Sequence, residues 1–276
     1  MDRLSHNIED YPEGIILPVD KPYRWTSADV IRKLKYAAIR HFGKKNLKVG
    51  HAGTLDPLAT GILLVCIGPA TRKAEELQRS AKQYLAGVTF GATTPSYDLE
   101  KDIDQTFPLE QVSEESIRSL LPGMTGPQEQ VAPLFSAKSV DGVRAYELAR
   151  RQFRQARNSG QAFNHDLASL LSTQMIDIYG MSLESFIPHS ADLPAAEPAQ
   201  GRSSRINVAD ISAYDLPTAM IRVDCSKGTY IRALARDLGE ALGSGAFLSS
   251  LRRTANGGYT IDQSITLDQA LEMLGE

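Results

Sequence analysis

The chain has 276 residues, of which 42% are hydrophobic, and its formal net charge is −3. This composition is that of a globular protein with one core or two small ones, and the charge argues against a protein that coats nucleic acid indiscriminately. The longest apolar run, 62–67, is far shorter than the roughly 20 residues that cross a bilayer, and the first residues lack the apolar stretch of a signal peptide. We therefore expect no membrane span and a cytoplasmic protein. The two cysteines, Cys66 and Cys225, lie far apart and indicate no disulfide framework, which fits a reducing cytosol.

Strand and helix patterns follow one another in an irregular order. Two helices are marked by capping boxes, in which Thr26 pairs with Asp29 and Thr266 pairs with Gln269. In chain order the patterns predict a strand at 14–19, the helix after Thr26, a strand at 61–68, a helix at 69–82, a strand at 82–91, a helix at 113–121, a hairpin that turns at Asp141 and Gly142, strands at 173–187, 206–213 and 218–225, a helix at 228–242, a strand at 247–254 and the helix after Thr266. Because these elements form no regular βαβ units, we expect an α+β fold.

Charged residues are segregated along the chain. Residues 21–50 hold nine Lys or Arg and one acid, whereas residues 95–120 hold seven acids and two bases. Further basic stretches lie at 144–157, with five Arg and one Glu, and at 222–253, with six bases and three acids. Each stretch alone is readily explained as a solvated helix face, but three together favour RNA or DNA as a partner.

Several common cofactor motifs are missing from the sequence. It contains no P-loop pattern, no GxGxxG after a strand and no HExxH, and its five histidines have no ligand-like spacing. The zinc-deaminase signature is also missing. We therefore expect neither a nucleotide cofactor nor a metal.

The segment 50–61, GHAGTLDPLATG, carries three glycines, His51 and Asp56 between two predicted strands. Because Pro57 follows directly, Asp56 is biased toward an extended backbone, and its carboxylate is held in a defined direction. From the residues alone, Asp56 is either a reactive carboxylate or the acceptor of a local Asx turn. His51 is likewise either a catalyst or a hydrogen-bonding surface residue.

A second distinctive segment, CSKGTYIR at 225–232, lies at a strand-to-helix junction. The amides of the helix N-terminus, together with Lys227, suit a phosphate group. Arg232 lies one turn into the helix on a face that we expect to be partly buried, and a buried arginine needs a carboxylate. Asp56 and Asp237 are both candidates for that partner.

These segments resemble the TruB family of pseudouridine synthases, which convert uridine 55 in the T-loop of tRNA to pseudouridine. The resemblance covers residues 14–253 and depends on several motifs in the right order. They are Asp20-Lys21-Pro22 with Thr26-Ser27, the GHAGTLDPLATG loop, Lys82-Gln83-Tyr84 with Phe90-Gly91, Phe135-Ser136-Ala137-Lys138, CSKGTYIR and Leu251-Arg252-Arg253. The twelve-residue loop and the octet are highly specific, whereas any shorter motif alone could arise by chance.

The resemblance implies a pseudouridine synthase fold, in which a mixed, mainly antiparallel sheet is flanked by helices and loops around a central RNA-binding cleft. It also implies that Asp56 is the catalytic aspartate and Arg232 its ion-pair partner. Pseudouridylation breaks a glycosidic carbon–nitrogen bond, rotates the detached uracil and rejoins it through carbon 5, so it needs no water, metal or energy source. Asp56 would add to the anomeric carbon, add to carbon 6 of the ring, or act as a base at the ribose 2′ carbon.

Five further residues would contact the substrate or support the site, according to the same resemblance. Tyr84 would stack on the target uracil and help to remove a proton, and Tyr230 and Leu251 would line the same pocket. His51 would enter the T-loop where the uridine has turned out. Lys21 would steady the active-site loops.

The resemblance makes tRNA, through its T-loop, the expected partner. RNA loops are recognised by shape, splayed bases and phosphates, so residues 21–50 and the arginines of 144–157 would face phosphates. Affinity for tRNA would then fall steeply with salt. We expect a monomer, because no heptad pattern or spare apolar face indicates a partner subunit.

Three features depart from the usual family pattern. Ala132 precedes Pro133 where the family usually has two prolines, which affects local loop geometry. Residues 189–204, rich in Ala, Pro, Ser and Gly, are expected to form a flexible insertion. Many members carry a C-terminal RNA-binding domain of the PUA type, for which we expect no room, so residues 1–276 are expected to form a single catalytic domain.

Other functions remain open at this point. An RNA-binding or RNA-folding protein of the same fold is one, and a synthase for another RNA uridine is the second. The joint presence of Asp56, Tyr84 and Arg232 argues against a pure binder, which has no use for a desolvated carboxylate. A glycoside hydrolase is less favoured, because it needs two carboxylates flanking one bond and the acids after Tyr97 fall in an acidic loop.

Overall fold

The computed structural model of the chain describes residues 3–133, 135, 139–140, 143–159, 163, 173–192 and 206–276. The α-helices in these ranges are α1 (Ser27–Phe42), α2 (Ala74–Arg79), α3 (Glu114–Leu120), α4 (Ala145–Ser159), α5 (Ile231–Ala241) and α6 (Leu267–Met273). The strands are β1 (Ile15–Lys21), β2 (Val49–Ala52), β3 (Ala59–Ile67), β4 (Lys82–Phe90), β5 (Ala92–Thr93), β6 (Gln105–Thr106), β7 (Gly126–Val131), β8 (Ser139–Val140), β9 (Val143–Arg144), β10 (Thr173–Ile187), β11 (Thr218–Cys225), β12 (Ala246–Asn256), β13 (Tyr259–Thr260) and β14 (Ile265–Thr266). No helix among these residues is long and apolar enough to cross a membrane.

The described residues divide into two compact units. The first unit contains residues 3–84, 206 and 252–276, and the second contains residues 85–192 and 207–251, with the gaps given above. Along the chain, the division falls once within β4 and once within β12. The single catalytic domain expected from the sequence stays a prediction.

The first unit is built on β1 and β3, which pair antiparallel along the whole of β1. β14 pairs parallel with β1, and β2 pairs antiparallel with β3, so that β2 and β3 form a hairpin. One face of these strands shares a buried core with α1 and α6, in which Val19, Leu34 and Leu63 lie. α1 begins at the predicted capping box, because the Thr26 side chain accepts from the Asp29 N–H group and the Asp29 carboxylate binds back.

The second unit carries its larger strands in the order β12–β4–β11–β10–β7. β10 pairs antiparallel with β11 and with β7, and its pairing with β11 is interrupted by irregularities after Ile178 and after Leu183. α5 buries the apolar face that its sequence predicts, which includes Leu234 and Leu238. β1 and β14 pair parallel, whereas β1–β3, β2–β3, β10–β11 and β7–β10 pair antiparallel. The fold is therefore α+β with a mainly antiparallel sheet, as predicted.

The helix predicted at 69–82 is replaced by two shorter elements. A 3₁₀-helix at Gly68–Lys73 is followed directly by α2. α2 ends because Ser80 adopts an extended backbone, with φ −61° and ψ 156°. Lys82, expected as the last helical residue, already belongs to β4.

The strand predicted at 206–213 is wrong, since these residues form turns and irregular backbone. The Asp210 side chain accepts a hydrogen bond from the Ser212 N–H group at 2.9 Å. The Tyr214 N–H group donates to the Ile211 carbonyl at 2.9 Å. An aspartate that binds the backbone two residues ahead closes a local turn, which competes with strand pairing.

Two predictions fall partly outside the described residues. Asp141 and Gly142, the turn of the predicted hairpin, lie outside them, but the flanking strands β8 and β9 pair antiparallel as expected. Of the predicted insertion 189–204, residues 193–204 lie outside them, and Ser190–Asp192 forms a short 3₁₀-helix. The flexibility of the insertion stays a prediction.

Candidate active site

Asp56 lies in the loop 53–58, which joins the two strands of the β2–β3 hairpin. His51 of β2 lies opposite Val65 of β3, two residues before this loop begins. The N–H group of Ala59 donates to the Asp56 carbonyl at 3.1 Å and closes a tight turn. Asp56 itself is partly exposed at the end of the hairpin.

Two buried side chains bind the loop backbone before Asp56. The Ser27 hydroxyl, at the start of α1, accepts a hydrogen bond from the Leu55 N–H group at 2.9 Å and donates to the Leu55 carbonyl at 3.1 Å. The Arg253 guanidinium donates to the Gly53 carbonyl at 2.9 Å, and its Nε donates to a carbonyl of β3 at 2.7 Å. Since these groups are shielded from water, their hydrogen bonds hold the loop in one conformation.

Lys21 binds the loop on the other side of Asp56. Its side chain is completely buried at the end of β1. Nζ donates to the carbonyls of Pro22 at 3.0 Å, Trp25 at 2.5 Å and Pro57 at 3.2 Å. Because the last of these acceptors directly follows Asp56, Lys21 ties the loop to the beginning of α1.

Burial lowers the pKa of Lys21 to about 7. The nearby carboxylate of Asp56 acts in the opposite direction and raises this pKa, whereas the positive charge of Arg253 lowers it further. The negative charge of Asp56 therefore favours the ammonium form of Lys21, which is the form that donates to all three carbonyls.

We expect the stability of the protein to depend on pH through Lys21. The unfolded side chain has a pKa of about 10.5, so between pH 7 and pH 10 the unfolded state holds a proton that the folded state has released. Stability therefore rises with pH in this range, by about 2 kcal/mol between pH 7 and pH 9, and the cost of burying the ammonium is largest below pH 7. Urea unfolding of the wild type and of Lys21→Met, repeated across this range, measures the effect.

The difference in unfolding free energy between the two proteins isolates Lys21, because the other groups titrate in both. As the pH rises from 7 to 9, the unfolding free energy of the wild type should increase relative to that of Lys21→Met. Lys44→Met is the matched control, since Lys44 is exposed and pairs with Glu9 at 3.0 Å, and its difference from the wild type should stay constant. A constant difference for Lys21→Met as well would contradict the lowered pKa.

His51 is half-buried in β2 and carries no charge at neutral pH. Burial lowers its pKa below the usual 6.5, and the positive charge of Arg253 lowers it further. Its Nδ1 is buried and has no hydrogen-bond partner among the described residues. A neutral imidazole is suited to packing against a base or to a hydrogen bond, and is less suited to pairing with a phosphate.

Tyr84 is buried near the start of β4, with 8% of its surface exposed. Two residues before it, Nζ of the buried Lys82 donates to the carbonyls of Gln78 and Ser80. These bonds tie the end of α2 to β4. The strand is therefore fixed at the point from which the Tyr84 ring projects.

Asp20 and Arg252 form an ion pair that the sequence did not predict. Oδ2 of Asp20 and Nη2 of Arg252 are 2.6 Å apart. The Asp20 carboxylate also accepts from the Gly61 N–H group at 3.0 Å, and Arg252 donates to the Thr60 hydroxyl at 3.2 Å. The pair thereby fixes the beginning of β3, just after the Asp56 loop. Both residues belong to motifs quoted above. In the sequence, nothing besides these motifs indicates that the two residues matter for the site.

In the second unit, Arg232 is buried in the first turn of α5 with 5% of its surface exposed. Its guanidinium donates to the carbonyls of Ser96 at 3.1 Å and Phe135 at 3.0 Å. Its Nε lies 3.7 Å from Oδ2 of Asp98, which is equally buried. Asp98 in turn accepts hydrogen bonds from the Ser96 hydroxyl at 2.6 Å and the Glu100 N–H group at 3.0 Å. The sequence predicted a carboxylate partner for Arg232 but did not predict Asp98.

The alternative partner considered for Arg232, Asp237, is bound elsewhere. Oδ1 of Asp237 is 2.7 Å from Nη2 of Arg236, its neighbour in α5. Burial raises the pKa of Asp237, and the charge of Arg236 opposes that rise. The ion pair between Asp56 and Arg232 joins residues of different units and stays a prediction.

Tyr230 precedes α5 and is held by its backbone. Its N–H group donates to the side-chain oxygen of the buried Gln130 at 2.8 Å, and the Gln130 amide donates back to the Tyr230 carbonyl at 3.1 Å. The ring packs against a small apolar cluster that includes Phe163. Leu251 lies in β12 and is partly exposed, and Lys227 is exposed in the turn before α5.

The first unit thus combines a partly exposed carboxylate, Asp56, with two buried basic side chains, Lys21 and Arg253, and a neutral imidazole. A carboxylate held in this way can act as a nucleophile or as a base. Within the described residues, no group of three His, Cys, Asp or Glu side chains is arranged to hold a metal ion.

Two parts of the chain match known families. Residues 40–176 match the N-terminal domain of the TruB family pseudouridylate synthases, and residues 232–275 match the C-terminal domain of tRNA pseudouridylate synthase B. The chain is 40% identical to a tRNA pseudouridine synthase B of Phocaeicola vulgatus, over 97% of this chain and 96% of the relative. It is 42% identical to a tRNA pseudouridine synthase B of Flavobacterium johnsoniae, over 94% of this chain and 95% of the relative.

Solved structures share the fold. A chain in the crystal structure of a Cbf5–Nop10–Gar1 complex matches with a TM-score of 0.60 and 24% identity, over 96% of this chain and 56% of that longer chain. The likeness confirms the predicted fold, and the identity to the curated relatives confirms the predicted family and enzyme class. The chain belongs to the TruB family of pseudouridylate synthases, which are isomerases.

Proposed function

We propose that the protein isomerises uridine 55 in the T-loop of tRNA to pseudouridine. The observation that carries this proposal is the loop of Asp56, whose backbone is bound on both sides by Ser27, Arg253 and Lys21 while Asp56 itself is partly exposed. The relatives named tRNA pseudouridine synthase B support tRNA as the substrate.

The reaction needs the target uridine outside the base stack. The bond between the anomeric carbon and N1 of uracil breaks, and a bond between the anomeric carbon and carbon 5 forms. The proton on carbon 5 leaves and N1 gains one, so the reaction is balanced without an oxidant or a reductant. When the nucleotide is extruded into a pocket, a protein side chain can reach the atoms whose bonds break and form.

Asp56 is the proposed catalytic residue, and Arg232 is its proposed ion-pair partner. Attack of Asp56 on the anomeric carbon, its addition to carbon 6 of the ring, and removal of the 2′ proton of the ribose all use one carboxylate. A carboxylate on a rigid loop supports each of these routes, because the reacting atoms must be held within about 3–3.5 Å of one another.

The remaining residues are proposed to hold the substrate. Tyr84 stacks on the detached uracil while it turns, and Tyr230 and Leu251 line its pocket. His51 enters the T-loop at the place that the uridine has left. The imidazole of His51 is uncharged at neutral pH, and this supports the role because an uncharged ring can occupy a stack of bases.

We also propose that the protein acts as a monomer in the cytosol. Cys66 and Cys225 are buried and form no disulfide, which is suited to a reducing compartment.

The position of the product tests the proposal. Transcribed tRNA is incubated with the protein, treated with a carbodiimide that marks pseudouridine, and read by reverse transcription. We expect one new stop, at position 55, and none on a transcript with cytidine at that position. A stop at another uridine would assign a different target, and no stop with retained tRNA binding would favour an RNA-binding protein without turnover.

A further inference from the structure

An open groove of about 500 Å³ lies at the base of the hairpin that carries Asp56. Three lysines and three small or polar residues form most of its lining: Lys35, Lys45, Asn46, Lys48, Gly50 and Thr71. The lysines come from α1, from the turn after it and from the residue before β2. No Asp or Glu lines the groove, so its lining carries a formal charge of +3. We call it the lysine groove.

The charges of the lysine groove are not compensated by the protein. Lys35, Lys45 and Lys48 are exposed and make no ion pair or side-chain hydrogen bond with any residue that the structure describes. Two other lysines of the same unit are paired: Lys44 with Glu9 at 3.0 Å and Lys73 with Glu13 at 2.8 Å. The three uncompensated charges therefore give the groove a positive potential.

The position of the groove relates it to the catalytic loop. Gly50 lines the groove, and the next residue in β2 is His51. Asp56 is the sixth residue after Gly50 along the chain, which limits the distance between them to roughly 20 Å. A nucleic acid whose reacting nucleotide lies at Asp56 therefore has phosphates within reach of the groove.

The chemistry of the lysine groove favours a chain of phosphates over a single anion. An enclosed phosphate site is typically built from arginine forks or backbone N–H groups, whereas these lysines stand on separate elements around an open space. Lysine ammonium groups on flexible stems neutralise successive phosphates without demanding one geometry.

We propose that the lysine groove binds the phosphodiester backbone of the RNA arm that carries the target uridine. The proposal rests on the proposed function, and it narrows the basic stretch 21–50 to the three lysines that line one groove. It also assigns Lys44, in the middle of that stretch, to a contact within the protein.

Salt-dependent binding tests the proposal. The triple variant Lys35→Gln, Lys45→Gln, Lys48→Gln is compared with the wild type for binding of a labelled tRNA transcript between 50 and 200 mM salt. At 100 mM salt we expect its Kd to rise at least about tenfold, and the slope of log affinity against log salt to fall by about 2 to 3. The matched control, Lys44→Gln with Lys73→Gln, should change Kd by less than about twofold.

Each outcome decides the proposal. A loss of affinity and of slope in the triple variant alone supports the lysine groove as an RNA-binding surface. Equal, small changes in the triple variant and the control overturn it, even if the wild type forms pseudouridine at position 55. A wild type that neither binds tRNA nor forms pseudouridine overturns the proposed function and the groove together. Circular dichroism of all the variants should match the wild type, because the substituted side chains are exposed.

Discussion

Asp56→Asn should reduce the rate of pseudouridine formation by more than about 10³-fold and leave tRNA binding nearly unchanged. The amide has the size of the carboxylate but lacks its charge and basicity, so each of the three chemical routes open to Asp56 is blocked. The hydrogen bonds that hold the loop use the backbones of Leu55 and Pro57, so their acceptors and donors on the loop remain when Asp56 is replaced. The fold should therefore persist.

Single-turnover assays with enzyme in excess measure this effect on the chemical step. Asp102→Asn is the matched control, since it makes the same change of charge at an exposed position and should retain the wild-type rate. Filter binding shows whether both variants still hold tRNA. A rate for Asp56→Asn within about tenfold of the wild type would contradict a catalytic role for Asp56.

Arg232→Met should lower the free energy of unfolding by about 3–5 kcal/mol, which is a large part of the stability of an ordinary domain. The substitution leaves the buried carboxylate of Asp98 without its cation, at a site where both side chains are about 7% exposed or less. It also removes the donors to the carbonyls of Ser96 and Phe135. Urea unfolding measures the loss.

A double-mutant cycle separates the ion pair from the other contacts of Arg232. Because Asp98→Asn removes the uncompensated charge, Arg232→Met with Asp98→Asn should lose less stability than the sum of the two single variants. Arg222→Met is the matched control for losing a surface arginine; its exposed pair with Glu184 should contribute little to stability. Additive losses would show that Asp98 is not the relevant partner.

The sequence predicts elements whose signals are local. The capping boxes at Thr26 and Thr266 are confirmed, because each depends on residues three positions apart. The strand predicted at 82–91 is also confirmed, as β4. The strand predicted at 206–213 fails for a local reason too, since the Asp210 turn outweighs the apolar pattern there.

The supporting contacts of the site could not be predicted, because they join residues far apart in the chain. Asp98 and Arg232 are separated by more than a hundred residues, and the acids around Asp98 gave no sign of which one is buried. Ser27 and Arg253 act on backbone groups, which every residue has, so no pattern of side chains marks their acceptors. Such contacts are visible only once the fold is known.

The pairing of the charged residues could not be predicted from the sequence either. The excess of basic residues in 21–50 was evident from composition, but composition cannot tell a paired lysine from an unpaired one. The structure separates Lys44, which binds Glu9, from Lys45, which lines the lysine groove. That distinction depends on the position of Glu9, more than thirty residues earlier in the chain.

The central claim is that this chain isomerises uridine 55 of tRNA through Asp56. The most direct test is a tRNA labelled with tritium at carbon 5 of uridine 55 alone, incubated with the wild type and with Asp56→Asn. We predict that the wild type releases all of the label into water and that the variant binds the tRNA but releases none. Retention of the label by a wild type that binds the same tRNA would contradict the claim.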